Sequence, residues 1–249
     1  RNNRFQTAHG WDIDLDDGSS NYHIYNNVCL QGGIKLREGF ERTVENNIMI
    51  NNGFHPHVWF KNSGDVFRHN IVMKAHADIR LDGWGKEVDS NIYTNSSALE
   101  KDQGKGVDAK SISADITFNN VATGDYRVLA NPEVLTAGFK NFAMDKFGVT
   151  SPRLKALAQQ PEFPKLGANN ELAMTKSNVM FGATIKNVET LGERSAAGLN
   201  KTAGILILNI ERNSVADKAG VKVGDVITAI KAQGQIHKTD NKVRSCSEA

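Results

Sequence analysis

Tyr25-Asn26-Asn27-Val28, Glu45-Asn46-Asn47-Ile48, Arg68-His69-Asn70-Ile71, Asp89-Ser90-Asn91-Ile92 and Phe118-Asn119-Asn120-Val121 are versions of one phrase, spaced 20, 23, 21 and 29 residues apart. A period of roughly 20–24 residues suits either a leucine-rich repeat or a coil of a parallel β-helix. The filling between the phrases decides. Leucine-rich repeats need leucines at fixed positions and a helical return, whereas these units carry short β-branched stretches separated by Gly, Asn, Ser and Asp.

A second strand aligns in each unit: Ile13-Asp14-Leu15-Asp16-Asp17-Gly18, Ile34-Lys35-Leu36-Arg37-Glu38-Gly39, Val58-Trp59-Phe60-Lys61-Asn62 and Ile79-Arg80-Leu81-Asp82-Gly83. Apolar and polar residues alternate, so one face of each strand points inward and the other outward. The fold expected is all-β: a right-handed parallel β-helix over residues 1–130, with a closing segment and linker over 131–167. Inward asparagines on successive coils can donate to and accept from one another, a ladder that satisfies buried amides.

The whole chain has 249 residues, with 30 Lys and Arg against 28 Asp and Glu, a formal charge of +2. Such a balance argues against a nucleic-acid partner, which calls for concentrated Lys and Arg. No run approaches the roughly 18 apolar residues of a membrane span. Two cysteines, Cys29 and Cys246, cannot build a disulfide framework or a zinc site alone, and Cys29 reads as a small buried hydrophobe. Arg1-Asn2-Asn3-Arg4 is neither an initiator methionine nor a signal peptide, so the chain is read as processed or as a fragment.

Successive coils lie about 4.8 Å apart, so residues one period apart in sequence become neighbours. Aligning Ile13 with Ile34 sets Asp14 beside Lys35, Asp16 beside Arg37 and Asp17 beside Glu38. Trp59 and Arg80 follow on the next two coils, giving a charged strip with an aromatic in it, a pattern that suits a sugar. Asp16 or Asp17 with Glu38 then offers the carboxyl pair of a retaining glycosidase, about 5–5.5 Å apart, with Lys35 or Arg37 holding one acid ionised. In the competing reading, stacked Asp and Arg simply pair across coils for roughly 0.2–1 kcal/mol each. The acids from Asp12 to Asp17 repel one another unless compensated by cations, metal or function, and calcium suits such oxygens. His55 and His57 share a strand face and are read as sugar contacts or as part of a structural turn, no third metal ligand being evident.

The stretches Gly10-Trp11-Asp12-Ile13-Asp14-Leu15-Asp16-Asp17-Gly18-Ser19-Ser20 and Gly33-Ile34-Lys35-Leu36-Arg37-Glu38-Gly39-Phe40, with Gly124-Asp125-Tyr126-Arg127-Val128 and residues 138–149, resemble β-helical glycoside hydrolases, most closely glycoside hydrolase family 120. The resemblance implies a retaining β-xylosidase with Glu38 as acid/base and Asp16 or Asp17 as nucleophile. It further implies an oligosaccharide substrate, a periplasmic or secreted setting, and substrate-binding residues on coils ahead of Arg1; the strip itself offers Asp14, Lys35, Arg37, His55, His57, Trp59 and Arg80 as sugar contacts. A calcium-dependent polysaccharide lyase and a non-catalytic glycan-binding scaffold are the alternatives.

Beyond a proline-punctuated connector with a short helix expected over Arg153 to Gln160, the repeat ends. Gly204-Ile205-Leu206-Ile207-Leu208-Asn209-Ile210 and Asn213-Ser214-Val215-Ala216-Asp217-Lys218-Ala219-Gly220, followed by Gly224-Asp225, resemble PDZ modules of bacterial envelope proteases. The expectation is a small α+β PDZ-like domain over 168–249, its second long helix and last strand poorly represented after Ile230. By that resemblance Phe181, Gly182 and Ala183 would hold a peptide C-terminus while the strand Thr184 to Val188 pairs with the peptide. The alternative is a PDZ-like domain that docks without binding peptide.

Overall fold

Parallel strand pairing at intervals of one repeat runs through the first 113 residues of the computed structural model, which describes residues 1–7, 10–145, 147–149, 151–158, 162–167, 177–189, 191–232 and 235–238. After β1 (Arg4–Phe5), one coil carries β2 (Ile13–Leu15), β3 (His23–Tyr25) and β4 (Val28–Cys29). The next carries β5 (Ile34–Leu36), β6 (Thr43–Glu45) and β7 (Ile48–Met49), and the third β8 (Phe54–Pro56), β9 (Val66–Arg68) and β10 (Ile71–Val72). The last coils add β11 (Glu87–Asp89), β12 (Ile92–Tyr93) and β13 (Ile112–Ser113). They stack as three parallel sheets, β1-β4-β7-β10-β12-β13, β3-β6-β9-β11 and β2-β5-β8, a β-solenoid of about five turns.

The asparagine phrase forms the corner between two of these sheets. Its second residue takes a left-handed conformation at Asn2, Asn26, Asn46, His69 and Ser90, with φ between 54° and 56°, a geometry in which Asn and His are enriched among non-glycine residues. The next residue points inward. Asn3 Nδ2 donates to Asn27 Oδ1 at 3.3 Å, Asn27 to Asn47 at 2.9 Å, Asn47 to Asn70 at 3.0 Å and Asn70 to Asn91 at 3.2 Å. The expected ladder is therefore present, and Asn3 is an additional rung. It ends where Asn91 Nδ2 donates to Asp108 Oδ1 at 2.9 Å.

The fifth phrase is a correction. Ser111, not Asn120, stands one coil above Asn91, because Ile92 pairs with Ile112. A helix, α1 (Ser96–Gln103), capped by the Asn95 side chain, interrupts the period. Phe118-Asn119-Asn120 instead lies in β14 (Phe118–Asn120), antiparallel to β15 (Asp125–Val128), with both asparagine side chains exposed.

The third coil is also shifted from its expected alignment. Ile34 pairs with Phe54 and Lys35 with His55, four residues ahead of the Val58 alignment. Val58 and Arg80 are left-handed corner residues on successive coils, φ 54° and 53°, flanking the bridge His57–Ile79.

Alternation inward and outward does not leave every outer face in water. In the sheet of β4, β7, β10 and β12, Cys29, Met49, Val72 and Tyr93 fill the coil interior, while Val28, Ile48, Ile71 and Ile92 join a second core with Phe118, Tyr126, Phe139 and Phe142. The segment after the coils, including α2 (Pro132–Thr136), supplies this cover, so the sheet is apolar on both faces and Cys29 is buried as expected. The connector helix α3 (Pro152–Lys155) is shorter than expected.

The chain divides into Arg1–Asn170 and Glu171–Ala249. The second unit has an antiparallel sheet of β16 (Asn178–Met180), β17 (Ala183–Asn187), β18 (Ile205–Ile210) and β19 (Val226–Ile227), with α4 (Leu191–Ala196) and α5 (Val215–Lys218). Ser214 caps α5, the chain reverses at Gly220 with φ 76°, and Gly224 precedes β19, as the motif predicts. β20 (Ala229–Ala232) pairs with β21 (Gln235–Lys238). Phe181 and Gly182, φ 54° and 79°, form a two-residue hairpin turn between β16 and β17. Both edges of β17 are hydrogen-bonded, to β16 and β18. The peptide site expected at Phe181, Gly182 and Ala183 is thus corrected: an added strand has no free edge of β17 to pair with.

Candidate functional site

Where β2 and β5 end, two coils bring their charges together. Lys35 lies opposite Asp14 in register, and its ammonium, only 1 % exposed, sits 2.9 Å from Asp14 Oδ1 and 3.1 Å from Asp16 Oδ1. Arg37 Nη1 reaches Asp16 Oδ1 at 3.6 Å and Asp17 Oδ1 at 3.5 Å, while its Nε lies 2.5 Å from Glu38 Oε2. One guanidinium thereby gathers the three carboxyl groups expected to be catalytic. Burial pushes the Asp16 carboxyl up, but the Lys35 hydrogen bond and the charges of Lys35 and Arg37 outweigh it and hold Asp16 below the usual carboxylate range.

The turn geometry permits this approach. Asp17 is left-handed, φ 47°. At Gly39, φ 153°, a Cβ would collide with the Ser19 carbonyl of the coil below, so glycine lets the Glu38 turn close onto the Asp17 turn. Arg42 locks the pair from inside. Its guanidinium, fully buried against Asp65, donates to the carbonyls of Ser19, Arg37 and Gly39. The acids that repel on paper are compensated differently: Asp12 accepts from the backbone N–H groups of Thr7, Gln31 and Gly32, and Asp14, Asp16 and Asp17 face cations.

Trp11, which sequence reasoning did not place in the strip, lies under the Lys35 ammonium at 4.3 Å from its ring centroid and edge-on to His55 and His57. Its position two residues before Ile13 carried that signal by parity alone. His55 bonds to Asn52 Oδ1 at 2.8 Å. His57 is 1 % exposed, and neither ring nitrogen has a hydrogen bond of normal geometry. Trp59 is corrected: the four-residue shift carries it past the Val58 corner into the core, fully buried, where it donates to Leu36 O at 2.9 Å. It cannot stack on a sugar at the surface. Arg80 is exposed at its corner.

Burial, followed by the neighbouring His55 and Lys35, pushes His57 down to about 3, against a smaller opposing pull from the Ala77 backbone; burial and its charged neighbours likewise hold His55 at about 3. Unfolded, each titrates near 6.5. Between those values the unfolded chain binds more protons, so this stabilisation is complete above about pH 6.5 and drains away as pH falls, at no more than about 1.4 kcal/mol per pH unit for each ring. Melting temperatures measured from about pH 7 to about pH 4 should therefore fall, and fall less in His57→Phe; parallel curves for the two proteins would contradict this.

Chemically, the strip can hold one acid ionised and place a second carboxyl on the adjacent coil. No protein-family model matches the chain, and neither curated protein sequences nor solved structures contain a match to it.

Proposed function

We propose that this strip is the active site of a retaining glycoside hydrolase acting on oligosaccharides, with β-xylosides the first substrate class to test. The observation that carries the reading is the convergence of Asp16, Asp17 and Glu38, from two adjacent coils, on the guanidinium of Arg37. Asp16 is the better nucleophile of the two candidates, since Lys35 and Arg37 both fix it and hold it ionised, whereas the Asp17 side chain is 83 % exposed.

In this mechanism a sugar seated over the strip takes Glu38 away from Arg37. Glu38 gives its proton to the leaving glycosidic oxygen as Asp16 attacks the anomeric carbon, and the glycosyl–Asp16 ester forms while the old bond breaks. Water then attacks the ester, surrendering its proton to Glu38 and freeing Asp16. Arg37, Asp14 and His55 orient hydroxyls, while Lys35 and His57, both buried, hold the strip from within.

A panel of aryl glycosides tests this. Glu38→Gln should lose about 100-fold or more in kcat on poor leaving groups and much less on activated ones, since general acid catalysis supplies roughly 10²–10⁴-fold. Asp16→Asn should lose more than Asp17→Asn. Glycan binding without turnover of any aryl glycoside would instead make the strip a binding surface and overturn the hydrolase reading.

A further inference from the structure

At the far end of the solenoid lies a cluster that the repeat pattern does not contain. Among the described residues, His76, Asp102 and Asp108 bring ligand atoms within 4.8 Å of one another, and all three side chains are fully buried. Asp102 comes from α1, Asp108 from the loop after it, and Tyr93 from β12. Tyr93 Oη sits in their midst, 2.9 Å from Asp102 Oδ2, 2.9 Å from Asp108 Oδ2 and 3.1 Å from His76 Nε2, and Nε2 is 2.8 Å from Asp108 Oδ2.

Hydrogen bonds alone do not account for these contacts. Four short contacts join four atoms, of which only Oη and Nε2 carry hydrogens, one each at most. If Nε2–H donates to Asp108 and Oη–H to Asp102, then Oη and Asp108 Oδ2 face each other lone pair to lone pair. His76 Nδ1 is buried and has no hydrogen-bond partner. Charge is short as well. The nearest ammonium, Lys105, lies 2.9 Å from Asp102 Oδ1 but is shared with Asp78 at 2.5 Å, which leaves His76 as the one further group that can set positive charge against Asp102 and Asp108. Isolated buried carboxylate is too costly to leave uncompensated.

The geometry points to a buried zinc site formed by His76 Nε2, Asp102, Asp108 and Tyr93 Oη, clamping α1 and its following loop to the last complete coil. One imidazole and three oxygens suit Zn²⁺, with bonds of about 2.0–2.2 Å. Tetrahedral donors around such an ion stand about 3.4 Å apart, so the cluster opens by a few tenths of an ångström. On binding, Zn²⁺ enters and the Tyr93 phenolic proton leaves to solvent. Zn²⁺ and Lys105 then set three positive charges against the four negative ones of Asp78, Asp102, Asp108 and the phenolate. The inference does not depend on the glycosidase reading.

The full chain, stripped with a chelator and then titrated with Zn²⁺ against a chromophoric competitor, should bind one ion per chain. The near-ultraviolet tyrosinate band should appear in step, and the melting temperature should rise by about 5–10 °C at a hundredfold excess over Kd. Asp108→Asn, close in shape, should weaken binding by more than about 100-fold, beyond the usual effect of a supporting residue. Tyr93→Phe should bind more weakly and show no tyrosinate band. If Zn²⁺ neither binds nor shifts the melt, or if Asp108→Asn and Tyr93→Phe bind like the wild type, the cluster is a hydrogen-bonded cap and the proposal fails.

Discussion

Asp65→Ala is expected to cost the solenoid about 3–5 kcal/mol, the penalty typical of leaving a buried charge without its partner. Arg42 and Asp65 are both fully buried, joined by Nε to Oδ1 at 2.9 Å and Nη2 to Oδ2 at 2.5 Å, and Asp65 Oδ1 also accepts the Arg42 backbone N–H at 3.0 Å. With the carboxylate gone, the guanidinium would lie in a dry interior against Trp59 with only carbonyl oxygens around it. The paired replacement Arg42→Met with Asp65→Leu should recover much of the loss, since removing both charges removes the stranded ion. Urea unfolding followed by tryptophan fluorescence measures both, and a loss below about 1 kcal/mol for Asp65→Ala would mean that water reaches the pair. Because Arg42 also fixes the carbonyls on either side of Glu38, the single variant should loosen the carboxyl pair as well.

The second large effect is expected at the middle rung of the ladder. Asn47 Nδ2 donates to Asn70 Oδ1, Ile24 O and Glu45 O, and Asn47 Oδ1 accepts from Asn27 N and Nδ2. Asn47→Ala therefore strands two donors inside the coil, the Asn27 backbone N–H and one hydrogen of the Asn27 amide, while Asn70 Oδ1 keeps the residue 47 backbone N–H; at about 1–3 kcal/mol each the loss is roughly 3–5 kcal/mol. Asn119→Ala, in the exposed phrase that copies the same letters, should change stability by no more than about 0.5 kcal/mol. Equal melting temperatures for the two variants would show that the ladder contributes little.

Much of the first unit was legible because repetition amplifies weak local signals. One inward asparagine says little, but Asn27, Asn47, Asn70 and Asn91 recurring at similar spacing define coil, corner and stacking axis together. The partnerships of Lys35 with Asp14 and of Arg37 with Asp16 followed from that axis. Trp59 did not, because the stretch from Gly53 to Phe60 supports two alignments, and Pro56, a residue that seldom sits within a sheet, hid the true strand. Asn119 and Asn120 repeat the letters without the burial. Arg42 and the His76 cluster were illegible for another reason: they act by filling the coil interior or by joining an inserted helix to the stack, and neither role has a period. In the second unit, the α5 motif was readable from Ser214 and Gly220, but strand order was not, and it is strand order that closes both edges of β17.

The row of amides down the corner also has a direction. Every side chain from Asn3 to Asn91 passes its hydrogen to the next coil, so the carbonyl dipoles line up head to tail and polarise one another. Their positive end rests on Asp108, whose carboxylate is drawn below the usual range by His76, Ser111 and Asn91 in spite of its burial. The stack thus carries an internal field along its length, much as a helix does, and an anion terminates it. A rung lost several coils away would be felt at that terminus as weakened electrostatic support.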